Sequence, residues 1–147
     1  MKISTKSRYG LRALLDIAKN EGNMPVHANE ISKRQDISRK YLDGILLKLK
    51  NAGLVKSIRG AKGGYRLNKK PFQISILQVV NILDGEVRIV DCTDNSHSCN
   101  RSTYCASHIF WTELNTLIIE KMNNTTLADL IEKGKLKSDN FKKMYYI

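Results

Sequence analysis

The chain has 147 residues, of which 41% are apolar, so it can bury one modest core divided over one or two small domains. No segment approaches the roughly 18 consecutive apolar residues of a membrane span, and the first residues lack the uninterrupted apolar stretch of a secretion signal. We therefore expect a cytoplasmic protein that does not enter the membrane. The net charge of +11 makes a polyanion the first class of partner to consider.

The positive charge is concentrated in the first half of the chain. Residues 1–70 carry 17 Lys and Arg against 5 Asp and Glu, whereas residues 71–147 carry 8 against 9. This asymmetry predicts two regions with a boundary near residue 70, of which the first binds a polyanion. Nucleic acid and an anionic membrane surface both fit the charge, and a merely solvated basic surface is the alternative.

Three short helices are predicted in the basic half. The first covers residues 9–20, and the second covers residues 29–35 with Asn29 as its cap. Ser38 is placed to cap the third helix, which ends at Gly53 and has an apolar stripe of Tyr41, Leu42, Ile45, Leu46 and Leu49. Two helices joined by a tight polar turn form a helix-turn-helix. The residues of the cap and of the third helix that we expect to contact DNA are Ser38, Arg39, Lys40, Tyr41 and Asp43.

The segment LVKSIRGAKGGYRL, residues 54–67, predicts a β-hairpin wing after the third helix. Its glycine-rich turn contains Arg59, Gly60 and Lys62, and an arginine at such a tip can enter a narrow minor groove. A glycine-rich loop also occurs in nucleotide-binding phosphate cradles, but the GxxxxGK[ST] pattern is missing from this sequence. The prediction is therefore a mainly α protein with a small β wing, in which residues 1–70 form a winged helix-turn-helix domain that binds double-stranded DNA.

The second half predicts three further helices. One covers residues 75–83, a long one runs from about residue 104 to residue 122, and a short one, capped by Thr125 or Thr126, covers residues 127–133. The apolar residues of the long helix are Ile109, Phe110, Trp111, Leu114, Leu117 and Ile118. This helix either completes the core of the monomer or forms a homodimer interface. Dimerisation is favoured because two-fold operators are bound by two-fold proteins.

All three cysteines and two of the three histidines lie in DCTDNSHSCNRSTYCASH, residues 91–108. A reducing compartment disfavours disulfides and the count is odd, which leaves metal binding or thiol chemistry. Three thiolates and an imidazole suit an iron-sulfur cluster or zinc, although structural zinc sites usually use more closely spaced cysteine pairs. His97 and His108 are alternative fourth ligands, with His108 favoured. A thiol enzyme using Cys105 and His108 is a remote alternative, because nothing else in the chain resembles an oxyanion site.

Three parts of the sequence together resemble the Rrf2 family of winged-helix transcriptional regulators. They are KISTKSRYGLRALLDIA, YLDGILLKLKNAGLVKSIRGAKGGYRL and the three-cysteine loop, and the similarity is greatest to iron-sulfur-sensing members. The resemblance implies a homodimer, mainly a repressor, that binds operator DNA and holds an iron-sulfur cluster. Since one ligand is a histidine, [2Fe-2S] is favoured over [4Fe-4S], and zinc remains an alternative. The cluster ligands that the resemblance implies are Cys92, Cys99, Cys105 and His108.

Two other branches of this family bear on the prediction. Nitric-oxide-sensing members take an acidic ligand from the first helix, where this chain has Arg8, and Asp16 is the only acid within that helix. Members that repress cysteine metabolism lack the three cysteines but resemble this chain in its N-terminal half and its aromatic end. A zinc-stabilised or cluster-independent repressor of that kind is the alternative function.

The third helix departs from the iron-sulfur-sensing members at two adjacent positions. An acid followed by glutamine is expected there, and this chain has Asp43 and Gly44. A carboxylate can accept a hydrogen bond from cytosine N4, so Asp43 suits a role in choosing the DNA site. A glycine in a helix costs about 1 kcal/mol relative to alanine, which predicts close packing or the close approach of a ligand at Gly44.

Overall fold

The structure is a computed structural model that describes residues 3–93 and 99–145, with side chains up to residue 138. Within these residues the chain forms six helices and one two-stranded antiparallel sheet, which confirms a mainly α fold with a small β wing. In chain order the elements are α1 (Thr5–Asn20), α2 (Ala28–Gln35), α3 (Arg39–Asn51), β1 (Val55–Ile58), β2 (Gly64–Leu67), α4 (Ile76–Asp84), α5 (Ala106–Asn123) and α6 (Leu127–Tyr145).

The first two helices begin at other residues than predicted. α1 begins four residues earlier because the Ser4 hydroxyl accepts hydrogen bonds from backbone N–H groups of its first turn. α2 begins after His27, so the prediction that Asn29 caps it was wrong. The Asn29 side chain instead accepts a hydrogen bond from the Arg39 guanidinium. A long-range partner has therefore replaced the local capping role that the sequence suggested.

Both ends of α3 follow the sequence signals. The Ser38 hydroxyl accepts a hydrogen bond from a backbone N–H of the first turn, as predicted. At the other end Gly53 has a φ of 73°, its N–H donates to the Lys50 carbonyl, and the Leu54 N–H donates to the Leu49 carbonyl. This pair of bonds is the Schellman motif, in which glycine is favoured because the backbone is left-handed.

The wing is tied to the helices at its base. β1 and β2 pair with Val55 opposite Leu67. Beside them, Val26, which precedes α2, exchanges two backbone hydrogen bonds of 2.9 and 2.8 Å with Tyr65. The hairpin is therefore held against the helix-turn-helix by backbone bonds as well as by its apolar side chains.

One apolar core lies under the winged helix and includes side chains from beyond residue 70. In α3 the stripe residues are buried except Tyr41, which is 37% exposed. α4 and α6 also contribute side chains to this core, so they pack directly on the helix-turn-helix. Its fully buried members include Leu14, Ile17, Ile31, Leu42, Leu46, Leu49, Leu54, Ile74, Val79 and Leu127.

The second half contains a smaller core and two long helices. Ile76, Val80 and Val87 form this core, against which side chains of α5 and α6 pack. α6 extends to Tyr145, so the prediction that it ends at residue 133 was wrong. An isolated glycine such as Gly134 weakens a helix without ending it when good helix formers follow. Among the described residues, none of the helices combines the length and the hydropathy that crossing a membrane requires.

Thr126, rather than Thr125, caps α6. The Asp129 N–H donates to the Thr126 hydroxyl oxygen, and the Thr126 N–H donates to the Asp129 carboxylate at 2.7 Å. These reciprocal bonds form a capping box. The hydrogen bonds from Thr126 also lower the pKa of the Asp129 carboxyl, because they favour its charged form.

A buried carboxylate joins α1 to α2. Asp16 is 3% exposed and receives hydrogen bonds from the Arg34 guanidinium at 2.7 to 3.2 Å and from the Gln35 amide at 2.8 Å. The bonds to Asp16 raise the pKa of the Arg34 guanidinium. The only acid within the predicted first helix is therefore engaged in holding the helix-turn-helix together.

Arg34→Ala should lower the free energy of unfolding by about 2–4 kcal/mol, because it leaves the buried Asp16 carboxylate without its cationic partner. Asp16→Asn should destabilise less, since Arg34 is 38% exposed and can be hydrated when it loses the carboxylate. Lys33→Ala removes a charge from an exposed neighbour and should change stability by about 0.5 kcal/mol at most. Equal losses for Arg34→Ala and Lys33→Ala in urea denaturation would contradict this assignment.

Candidate DNA interface and metal centre

The start of α3 presents a fixed arginine. Arg39 Nε donates to the Asp43 carboxylate at 2.8 Å, and another of its N–H groups donates to the Asn29 side chain on α2. Lys40 and Tyr41 follow on the exposed side of the same turn. Asp43 thus orients Arg39, besides being a potential acceptor for a base. No local pattern in the sequence indicated the contribution of Asn29, because its partner Arg39 lies on another helix.

The Tyr41 ring is also held in place. It packs edge-on against the Tyr9 ring of α1, with ring centroids 5.9 Å apart and an interplanar angle of 88°. The Arg12 guanidinium lies 5.1 Å from the centre of the Tyr9 ring and bonds to Gln35. Aromatic and cation-π contacts of this kind restrict side-chain freedom, so the exposed edge of Tyr41 is presented in one orientation.

The tip of the wing is a tight turn with exposed basic side chains. Arg59, Gly60 and Lys62 are all exposed. A Cβ on Gly63 would lie 2.3 Å from the Ile58 carbonyl oxygen, so only glycine fits there. Position 63 of the predicted glycine-rich loop therefore requires glycine for steric reasons. The loop projects Arg59 and Lys62 away from the core.

A polar cleft of about 260 Å³ separates the wing from the starts of α2 and α3. Asn29 and Arg39 line it on the helix side, and Ser57 and Gly60 line it on the wing side. The predicted DNA-contacting residues thus lie on two adjacent elements, with donors in the cleft between them. Such an arrangement can place a helix in the major groove while the wing contacts the neighbouring backbone or minor groove.

The proposed metal ligands lie around the start of α5. Cys105 immediately precedes this helix, and His108 lies in its first turn. The His108 Nε2 atom is 2.8 Å from the backbone carbonyl oxygen of Cys92, which lies in a short helical turn, Asp91–Thr93. The three cysteine thiols are free and half-buried, and Cys99 starts the turn that leads to α5. His97, the rival fourth ligand, lies outside the described residues.

The donor set fits a thiophilic metal group, although the donors do not converge. Within residues 3–93 and 99–145 no group of three His, Cys, Asp or Glu side chains has metal-holding geometry. The contact with the Cys92 carbonyl engages Nε2 of His108 and leaves Nδ1 as the ring nitrogen for a metal. Metal-bound histidines usually donate their other ring N–H to a carbonyl or carboxylate, so this contact suits a ligand.

The Cys105 thiol has an environment that favours its ligating form. Its sulfur lies 3.1 Å from the Ser107 hydroxyl oxygen. This hydrogen bond, with smaller contributions from the His108 N–H and Arg101, lowers the pKa of the Cys105 thiol. The thiolate rather than the thiol binds metals, so the surroundings of Cys105 favour metal binding.

A second hydrogen bond holds the segment just before Cys92 against α5. Asn115 is 9% exposed, and its side-chain oxygen accepts a hydrogen bond from the Ile89 N–H at 3.1 Å. Together with the bond between His108 and Cys92, this contact holds residues 89–92 against about two turns of α5. The sequence analysis did not identify Asn115. The only signal for it is that one polar residue occurs on the apolar side of the predicted helix.

Comparisons with known proteins agree with this geometry. The sequence model of the family Rrf2, described as an iron-dependent transcriptional regulator, matches residues 3–133. The HTH-type transcriptional regulator IscR of Vibrio vulnificus is 41% identical over 136 residues, which cover 92% of this chain and 80% of that protein.

Solved structures of two such regulators are also similar. CymR, the global cysteine regulator of B. subtilis, superimposes with a TM-score of 0.78 and 34% identity, over 90% of this chain and 98% of that one. IscR of T. potens gives a TM-score of 0.73 with 32% identity, over 91% of this chain and 88% of that one.

Proposed function

Because the chain belongs to the Rrf2 family and is an IscR-like helix-turn-helix transcriptional regulator, we propose that its operator binding responds to an iron-sulfur cluster. Its relatives are named as transcriptional regulators, so the chain is not an enzyme and the thiol-enzyme alternative is excluded. One observation carries the proposal. The His108 imidazole contacts the backbone carbonyl of Cys92, and His108 lies three residues after Cys105, so the chain segments that carry three of the four expected cluster ligands lie side by side. Those four residues are Cys92, Cys99, Cys105 and His108.

The protein's part in holding the cluster follows from its own contacts. Cys105 and His108 are fixed by the first turn of α5, whereas Cys92 and Cys99 lie on the segments that must close around the cluster. With its Nε2–H bonded to the Cys92 carbonyl, His108 would hold the cluster through Nδ1. A bound cluster supplies a link between these segments that depends on iron and on redox state, and a histidine ligand favours [2Fe-2S].

The region after residue 70 connects the presence of a cluster in the cysteine loop to the position of α5. Residues 89–92 are fastened to α5 through His108 and Asn115, so closure around a cluster biases the position of this helix. α5 exposes large apolar side chains, and we propose that this face forms the homodimer. In that case residues 1–70 bind double-stranded DNA, and residues 71–147 set the relative position of the two DNA-binding domains in the dimer. Repression is the main output of such a dimer.

A cluster-independent repressor of cysteine metabolism is the second candidate. The similarity to the solved structure of CymR favours it. In this alternative zinc, or no metal, occupies the cysteine loop. The lowered pKa of Cys105 and the contact of His108 with Cys92 support a metal group in this loop over an empty loop. The wide spacing of the cysteines favours a cluster over structural zinc.

Anaerobic purification tests the proposal directly. The protein should be coloured, absorb visible light in the manner of a cysteine-bound cluster, and contain iron and acid-labile sulfide in equal amounts. A colourless protein with stoichiometric zinc would overturn it and favour the CymR-like alternative. Operator titrations before and after cluster removal then measure the response.

Arg59→Ala should weaken operator binding by about 1–3 kcal/mol if the wing tip lies in the minor groove. Arg59→Lys keeps the charge but loses the planar fork, so it should show an intermediate loss. Lys137→Ala, an exposed change on α6, controls for net charge and should have little effect. Titrations over a salt series would show the steep decline that counterion release produces. Unchanged affinity in Arg59→Ala would remove the wing from the interface.

A further inference from the structure

The outward side of α3 has an open bay of about 380 Å³ at its second turn. Gly44, Ile45 and Tyr41 contribute its surface on the helix, and carbon atoms make up most of the surface inside the bay. The bay lies on the side of α3 that carries Lys40 and Lys48, where polar side chains are expected. An apolar bay in the middle of a DNA-reading helix requires a specific explanation.

The fold does not require a glycine at position 44. The backbone of Gly44 is not left-handed, and in the described part of the chain a Cβ built on this residue meets no atom within 4 Å. Glycine also weakens a helix interior relative to alanine. Close packing, one of the two explanations that the sequence suggested for Gly44, is therefore wrong within the described protomer. Close approach of a ligand is the other explanation.

The rim of the bay defines the chemistry of that ligand. Lys6, Lys40 and Lys48 line it, and none of its lining residues is acidic. The ligand must therefore combine negative charge around its edge with an apolar group at its centre. A DNA major groove has this composition, because phosphates border it and the thymine C5-methyl is the apolar group on its base edges. The Tyr41 ring, held by Tyr9, provides a fixed wall for such a methyl group.

We propose that the bay receives the C5-methyl group of a thymine, which makes Gly44 a specificity-determining residue for one base pair of each half-site. This inference rests on the proposed function, since α3 must enter the major groove of an operator. The missing side chain lets the base edge approach the helix backbone, while the lysines contact the flanking phosphates. A larger residue at position 44 occupies the space directly above the helix backbone and excludes the methyl group from it.

Deoxyuridine substitution tests this inference, because it removes only the methyl group of thymine. An operator is first selected with the wild-type protein from a random double-stranded DNA library. Each of its thymines is then replaced singly. At one thymine in each half-site the affinity should fall about fourfold, the effect of losing one buried methyl group. Gly44→Leu should bind the operator more weakly and lose this sensitivity, whereas Lys50→Leu, outside the lining of the bay, should retain it.

Gly44→Ala separates a role of Gly44 in DNA recognition from a role in the fold, because a structural need for glycine would lower the melting temperature of this variant instead of raising it. It should raise the melting temperature by about 2–4 °C, because alanine is the better helix former and has room. The same variant should reduce the deoxyuridine effect. If the wild-type protein selects no sequence, the proposed DNA-binding function itself fails. If an operator is selected but no thymine is sensitive, or the sensitivity persists in Gly44→Leu, the inference about Gly44 is overturned while the proposed function stands.

Discussion

A variant in which Cys92, Cys99 and Cys105 are all replaced by alanine should remain a folded dimer, become colourless and bind operator DNA equally before and after iron depletion. The wild-type protein should change its operator affinity between these conditions. The expected loss is therefore the whole of the response, with DNA binding itself retained. Size-exclusion chromatography and operator titrations on both proteins measure the two properties separately.

The triple variant should stay folded because the two apolar cores, rather than the cysteine loop, stabilise the fold. None of the three cysteines belongs to either apolar core, and all three are half-buried. The buried side chains of the winged helix come from α1 to α4 and from α6, so they stay in place in the variant. A metal group on such a loop acts as a ligand that shifts an equilibrium, rather than as the main support of the fold.

His108→Ala is the matched comparison for this variant. It keeps every thiol but removes both the proposed fourth ligand and the contact with the Cys92 carbonyl. We expect a cluster that is lost more readily and shows an altered absorption spectrum. If the triple variant instead unfolds or becomes monomeric, the metal is structural, and the zinc alternative replaces the sensor.

Local signals in the sequence were sufficient for the architecture of the winged helix. The cap at Ser38 and the terminating Gly53 both depend on residues within one turn, so their chemistry can be recognised without the fold. The basic glycine-rich turn was likewise predicted from its own residues. These signals correctly place α3 and the wing next to each other, which positions the candidate DNA interface.

The long-range contacts could not be predicted. Arg39 with Asn29, Arg34 with Asp16 and His108 with Cys92 each join residues separated by ten or more positions. The sequence shows that these side chains can form hydrogen bonds, but the packing of the helices decides which of them meet. For Asn29 the local capping preference gave the wrong answer, because the arginine across the helix pair was the stronger partner.

The apolar side of α5 illustrates a different limit. The sequence correctly predicted a long apolar-faced helix, but it left open whether the protomer or a second copy covers that face. In the structure Ile109, Phe110 and Leu117 are 62%, 57% and 61% exposed, so the described part of the protomer does not cover them. The Phe110 ring is nevertheless held against Trp111, with centroids 5.0 Å apart. Large exposed apolar side chains on one helix are typical of an interaction surface.

Phe110→Glu combined with Leu117→Glu should therefore convert the protein to a monomer and weaken operator binding by about 100-fold or more, since a two-headed protein gains this factor from its second contact. The two positions are seven residues apart and so face the same way. Because both side chains are mostly exposed in the protomer, the charges should not disturb its folding. Analytical ultracentrifugation, circular dichroism and titrations with full and half operators measure the three quantities.

Lys137→Glu is the matched control for this double variant. Lys137 is exposed on α6, so its replacement by glutamate changes the net charge by the same two units and leaves α5 unaltered. This variant should stay dimeric and keep its operator affinity, which would separate a specific interface from general repulsion. A double variant that remains dimeric would show that another surface forms the dimer. A monomer with undiminished affinity for the full operator would mean that the two DNA-binding domains bind independently. A cluster next to α5 could then not change operator binding through the arrangement of a dimer.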